Sequence, residues 1–226
     1  MVMAAHDEPI LPLRTEPALG WLWPPRDPQF VGRRVELFRL HGLLDTSRHV
    51  VVVGPPGSGR RALIREYGAR FAAQYRQQGR TLRYTTLARL SAQPPAAWDA
   101  GLIAVCDPSD ADPDAVGLPD PREILPALAR SAPLARLLLA GSSPAWLDAA
   151  GALRAAVLEL APLPLEDGIA LLVHASGRHS VPPEERRAAA RLVQALGGLP
   201  ARIVQVAAQA RSHDLPWSEC LRRHLI

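Results

Sequence analysis

The residues best placed to do chemistry in this chain run from position 54 to 61: Gly54-Pro55-Pro56-Gly57-Ser58-Gly59-Arg60-Arg61. Gly54 and Gly59 bracket a turn whose backbone N–H groups can converge on a phosphate, and a helix starting just after it adds the positive end of its dipole. Neither contribution needs a side chain, so Gly54, Gly57, Ser58 and Gly59 are candidate phosphate contacts. The side chains that hold phosphate and metal in such a turn are a Lys and then a Ser or Thr. Here those positions are Arg60 and Arg61. The sequence has no lysine, and all 26 of its basic residues are Arg. Arg60 can reach a phosphate, but with a planar fork rather than a compact ammonium. Arg61 offers no oxygen to Mg²⁺ and repels it. Without a metal across the β- and γ-phosphates, phosphoryl transfer loses its main charge-neutralising element.

The turn is set between the β-branched run His49-Val50-Val51-Val52-Val53 and a helical pattern over about 60–77. A strand–turn–helix unit is the setting this chemistry needs. Further strands are expected at 81–87, 102–106 and 136–140, with a short one at 156–160. Helices are expected at 35–44, 122–131 and 146–150. Apolar strands alternating with helices predict a parallel sheet covered on both faces. From about Pro164 the pattern is helical only: 165–175, a helix led by Pro183, one from Pro200 to Arg211, and one over 216–223. The expected fold class is α/β, a P-loop NTPase-like parallel sheet with helices on both faces, followed by a small C-terminal helical subdomain. The expected boundaries are 1–29 for a proline-rich arm carrying Trp21 and Trp23, 30–163 for the α/β part and 164–226 for the helical part.

The chain has 226 residues, 48% of them hydrophobic, enough for a substantial core, and its 21% charged content excludes a disordered polyelectrolyte. The net charge of +4 is spread over many helices, which fits solvated faces better than a nucleic-acid groove, and 5% aromatics is too few for a base-stacking platform. Cys106 and Cys220 form no CxxC or Cys/His metal pattern and point to a reduced, cytoplasmic setting. Residues 1–15 lack the apolar core of a signal peptide, and no apolar run reaches membrane-spanning length.

Together these segments resemble the STAND class of P-loop NTPases, which includes NB-ARC and NACHT domains and is related to AAA+ modules. The likeness extends from about Phe30 to Arg211. Phe30-Val31-Gly32-Arg33 with Glu36-Leu37 is similar to the family's hhGRExEL opening helix, which contacts adenine. Gly54 to Arg61 resembles Walker A and Leu102 to Asp107 resembles Walker B. Arg136 to Ser143 is similar to the strand leading to the sensor arginine. Gly197-Gly198-Leu199-Pro200 resembles the GLP turn of the helical subdomain, which lies against the nucleotide. The resemblance implies nucleotide contacts at Val31, Gly32, Arg33, the loop residues and Pro200, with Asp107 the remnant acid of Walker B.

The departures fall on the chemistry. Besides Arg60 and Arg61, the second Walker B acid is Pro108, and the sensor segment Gly141-Ser142-Ser143-Pro144 has no Arg. These losses remove the metal site, the water-positioning acid and the γ-phosphate sensor, the positioning and electrostatic terms on which the reaction depends. The resemblance therefore implies a degenerate nucleotide-binding module. It would act as a regulatory or scaffolding protein in bacterial signalling or defence, with a protein partner or within a larger multidomain assembly. Its cofactor is ATP or ADP bound without Mg²⁺, or none. A working ATP/ADP switch or slow ATPase, with Arg60 standing for Lys and Asp107 holding Mg²⁺, is the alternative. A nucleic-acid-associated AAA+-like regulator is the second alternative. The acidic stretch Asp107, Asp110, Asp112, Asp114 and Asp120 reads as a solvated loop, His174 and His179 as helix-end residues, and Ser212-His213-Asp214-Leu215 as a helix boundary.

Overall fold

Continuous burial along three apolar strands, at positions 50–52, 101–106 and 137–140, builds the centre of this protein. The computed structural model describes residues 22–92, 101–106 and 119–225. Asp107, Pro108, Asp110, Asp112, Asp114, Trp21 and Trp98 lie outside the described residues. In chain order the elements are α1 (Arg34–Thr46), β1 (His49–Val53), α2 (Arg60–Gln77), β2 (Thr81–Thr86), α3 (Leu87–Ala92) and β3 (Gly101–Cys106). They continue with α4 (Pro121–Ser131), β4 (Arg136–Ala140), α5 (Pro144–Ala152) and β5 (Ala156–Glu159). The helical part holds α6 (Leu165–Ser176), a 3₁₀ turn (Pro183–Glu185), α7 (Arg186–Ala195), α8 (Pro200–Ser212) and α9 (Trp217–Leu225).

The strands form one sheet in the order β2-β3-β4-β1-β5, with every pairing parallel. Parallel strands expose no dry face, and a two-residue period splits their side chains between two cores. Val50 and Val52, Leu102, Ala104 and Cys106, and Leu138 and Ala140 pack with α1 and α2 on one side. Val51, Ile103 and Val105, and Leu137 and Leu139 pack with α3, α4 and α5 on the other. A third core, around Leu172, Leu192, Ile203 and Trp217, holds α6 to α9 together. The expected α/β architecture with its helical C-terminal part is the observed one.

The short helix α3 has no counterpart in the sequence reading, which ran the strand to Leu87. Leu87 and Leu90 are what hold it, both buried against Ile103 and Val105. The helix led by Pro183 begins instead as a 3₁₀ turn, and α7 starts at Arg186. The arm from Leu22 to Gln29 packs onto α2. Trp23 lies over Gly68, where a Cβ would come within 1.9 Å of the indole, and its Nε1 donates to the Arg65 carbonyl at 3.2 Å. Glycine inside a helix costs roughly 0.5–1 kcal/mol against alanine; here its bare backbone makes the seat for the tryptophan. Arg26 of the arm pairs at 2.8 Å with Glu66, which is fully buried and also meets Arg70 at 2.7 Å.

Candidate functional site

The sheet reverses its strand order at β1, whose neighbours β4 and β5 lie on opposite sides, and ligands in open α/β sheets bind at such a point. The loop from Gly54 to Gly59 leaves the carboxyl end of β1 there. Gly57 (φ 79°) and Gly59 (φ 91°) take left-handed backbone that other residues adopt only with strain, and Gly59 sits at the N-cap of α2. Helix α8 meets the loop from the other side. The Ala201 N–H donates to the Gly57 carbonyl at 3.2 Å, and a Cβ on Gly59 would be 3.6 Å from Pro200. Gly198 (φ 61°) closes the turn before α8, its carbonyl accepting from Leu163 N–H at 2.9 Å.

Arg33 ties these parts together. It is 5% exposed and sits at φ 59°, a conformation costing roughly 1–2 kcal/mol for a residue with a Cβ. Its side chain meets Glu36 at 2.7 Å, the Ser58 carbonyl at 3.2 Å and the Ala161 carbonyl at 2.6 Å. One guanidinium thus joins the opening helix, the glycine-rich loop and the segment that leads into the helical part.

Between these walls lies a cleft of about 510 Å³. One half is apolar, built by Phe30, Val31, Leu163, Leu171 and Val204. The other is basic, with Arg33, Arg60, Arg61 and Arg65 in its lining and Asp27 as its acid. Arg65 is committed to the arm, donating through Nε and Nη2 to the Pro25 carbonyl at 3.1 and 3.0 Å. Of the residues expected to contact nucleotide, Val31, Arg33, Gly57, Ser58, Gly59, Arg60, Arg61 and Pro200 line this one cleft. Gly32 (φ 73°) and Gly54 are not in its lining. Gly54 packs against Leu160 behind the loop, where a Cβ would come within 2.9 Å of the Leu160 carbonyl. Asp107 lies outside the described residues. Sequence reasoning missed Arg65, Leu171 and Val204. Arg65 carried a signal, being one helical turn beyond Arg61, whereas Leu171 and Val204 reach the cleft only through the tertiary fold.

The two arginines of the loop are both engaged with protein. Arg60 is 1% exposed and folds back on the preceding turn, Nη1 donating to the Gly54 carbonyl and to the Pro55 carbonyl at 2.9 Å. Arg61 hydrogen-bonds the Tyr84 hydroxyl of β2. Burial, the neighbouring Cys106 and a hydrogen bond to it push that hydroxyl up to about 12, against an opposing pull from Arg61. The Ser58 hydroxyl is buried without a hydrogen-bond partner. Among the described residues no group of three or more His, Cys, Asp and Glu could hold a metal ion.

The apolar half of the cleft fits a flat base. The basic half does not fit a metal-bound triphosphate: Arg61 stands where a hydroxyl ligand is needed, and Arg60 is drawn into the turn a phosphate would organise. The loop as built is braced by its own arginine.

No protein-family model matches this chain, and no curated protein matches it. Solved structures do. The Walker-type ATPase of Pyrococcus abyssi superposes with a TM-score of 0.60 at 13% identity, covering 89% of this chain and 73% of that one. A RuvB variant of Thermotoga maritima gives 0.57 at 14%, covering 87% and 69%. The ORC1 protein of Aeropyrum pernix, solved in complex with DNA, gives 0.59 at 15%, covering 88% and 65%. At these identities the likeness carries the fold alone: the chain has a P-loop NTPase-like fold.

Proposed function

We propose that this chain is a degenerate STAND-like, NB-ARC-like module that does not hydrolyse nucleotide. In this reading it acts in the bacterial cytoplasm as a regulatory or scaffolding protein of a signalling or defence system, through a protein partner. The observation that carries the reading is the state of the two loop arginines: one is bound to loop carbonyls and the other to Tyr84, so neither position offers a metal ligand. Any ATP or ADP taken up enters the apolar half of the cleft and binds without Mg²⁺. Steady-state ATP turnover tests this. The expected rate is at background; a rate above it that Asp107→Ala abolishes overturns the proposal. Calorimetric titration of ATP and ADP with and without Mg²⁺ separates the working switch, whose binding depends on the metal, from the module proposed here, whose binding does not. A nucleic-acid-associated role has less support. Arg26, Arg70, Arg122, Arg222 and Arg223 are paired with acids, and such a role requires affinity that falls steeply with salt.

A further inference from the structure

We propose that Arg60 is a built-in ligand of the glycine-rich loop, holding the loop in shape without nucleotide, and that the loop admits phosphate only when this side chain is withdrawn. The inference rests on the reading of the chain as a non-hydrolysing module.

Three observations carry it. First, the first half of the loop is closed by Arg60 and by one backbone bond, Ser58 N–H to the Pro55 carbonyl at 3.1 Å, whereas Arg33 and α8 hold its second half through the Ser58 and Gly57 carbonyls. Gly54, Gly57 and Gly59 all have positive φ, and the Ser58 hydroxyl makes no hydrogen bond. Arg60 reaches back across the turn to the carbonyls of Gly54 and Pro55, closing it from within. Second, Arg60 stands at an electrostatically adverse place. It is the first residue of α2, where the helix dipole favours anions, and the first turn of α2 has no acidic residue. A guanidinium 1% exposed also gives up its hydration. The charge-assisted bonds to the two carbonyls offset both costs. Third, the opposite face of the loop is held by α8 through the Ala201 to Gly57 bond, so Arg60 and α8 grip the turn from two sides.

Withdrawing the guanidinium vacates the space it fills beside the N-terminus of α2 and removes the side chain that holds the turn closed, and a helix N-terminus with its orphan N–H groups favours an anion. The consequence runs against simple charge counting: a variant lacking this positive charge binds phosphate more tightly. The test is calorimetric titration of inorganic pyrophosphate, without Mg²⁺, into the full chain and into Arg60→Ala, Arg60→Met and Arg60→Lys. Arg60→Met and Arg60→Ala are expected to bind at least about tenfold more tightly than the unaltered chain. Arg60→Lys is expected to fall between. The ligand-free Tm of Arg60→Met is expected to drop by roughly 3–8 °C. Affinity that is unchanged, or that falls with the loss of charge, overturns the proposal. If Arg60→Ala does not fold, the order of the Met and Lys variants decides. The outcome is separable from that of the functional reading. ATP turnover by the unaltered chain removes the non-hydrolysing module, whereas the pyrophosphate order among the variants tests the loop alone.

Discussion

Arg33 and Ala161 are joined by a 2.6 Å hydrogen bond, from Nη2 to the carbonyl oxygen, across 128 positions of sequence. The bond fixes the first helix of the α/β part to the segment that opens the helical part. Because Arg33 also holds the Ser58 carbonyl, the walls of the cleft and its loop are positioned by one side chain.

Replacing this clamp leaves two backbone carbonyls without their charged donor. Arg33→Ala is expected to cost about 2–4 kcal/mol. Arg33→Lys recovers only part of it, because an ammonium cannot reproduce a fork that reaches three acceptors. Urea unfolding of the three proteins measures this. Equal stability of Arg33→Ala and the unaltered chain refutes the clamp.

Gly68 and Trp23 make a coupled pair. A methyl group at Gly68 meets the indole at 1.9 Å, so Gly68→Ala is expected to destabilise by roughly 1–3 kcal/mol through overpacking. In the Trp23→Ala background the same change is expected to be neutral or stabilising, since alanine is the better helix former. A double-mutant cycle reads the difference, and strict additivity shows that the two side chains do not meet.

Gly57→Ala combines two faults. Its φ of 79° is strained for alanine, and the new Cβ would lie 3.0 Å from the Ala201 Cβ. A loss of about 1–3 kcal/mol is expected, with α8 loosened from the loop. Hydrogen exchange at the Ala201 amide reports the loosening, and unaltered protection there contradicts it.

Alkaline pH acts on two tyrosines, Tyr67, which is buried, and Tyr84, which is half-buried. The Tyr84 hydroxyl is pushed up to about 12, and that of Tyr67 well above the tyrosine range, in each case first by burial. For Tyr67 the hydrogen bond to Tyr75 adds to it. Both are therefore neutral in the folded state above the pH, about 10, at which an unfolded tyrosine ionises. Their contribution to stability is complete below about pH 10 and is lost as the pH rises towards 12. Tm is expected to fall over this interval, with the tyrosinate absorbance of Tyr67 and Tyr84 lagging behind that of an unfolded tyrosine. Tyr67→Phe is expected to blunt the fall, and a pH-independent Tm to pH 12 refutes the assignment.

The parts of this fold legible in the sequence are those where a local pattern and its tertiary role agree. Val50 to Val53 followed by a glycine-bracketed turn could be little else, and Pro200 after two glycines marks the start of α8 as clearly. Helix α3 was not legible, because six residues are too few for a period to stand out and its cap, the Thr86 hydroxyl accepting from Arg89 N–H at 3.3 Å, is also the last residue of β2; Leu87 and Leu90 hold it against β3 and α4. For the cleft, the motif positions were legible but the fate of their side chains was not. Arg61 meets Tyr84 only because α2 lies over β2 and β3, a fact of strand order. The link from His174 Nε2 to the Pro28 carbonyl at 2.7 Å depends on the path of the arm across α6.

The sheet order also governs how the chain can assemble as it is made. Among the described residues β1 pairs only with β4 and β5, so Val50 to Val53 has no strand partner there until the chain has been synthesised past Ala140. A nascent chain carrying β1, β2 and β3 can join β2 to β3, while the four-valine strand waits with neither β4 nor β5 at its edges. Such delayed pairing slows folding and exposes the strand to aggregation. Synthesis of this protein therefore passes through a stage in which its valine strand is unpaired, and that stage ends when β4 slots between β1 and β3.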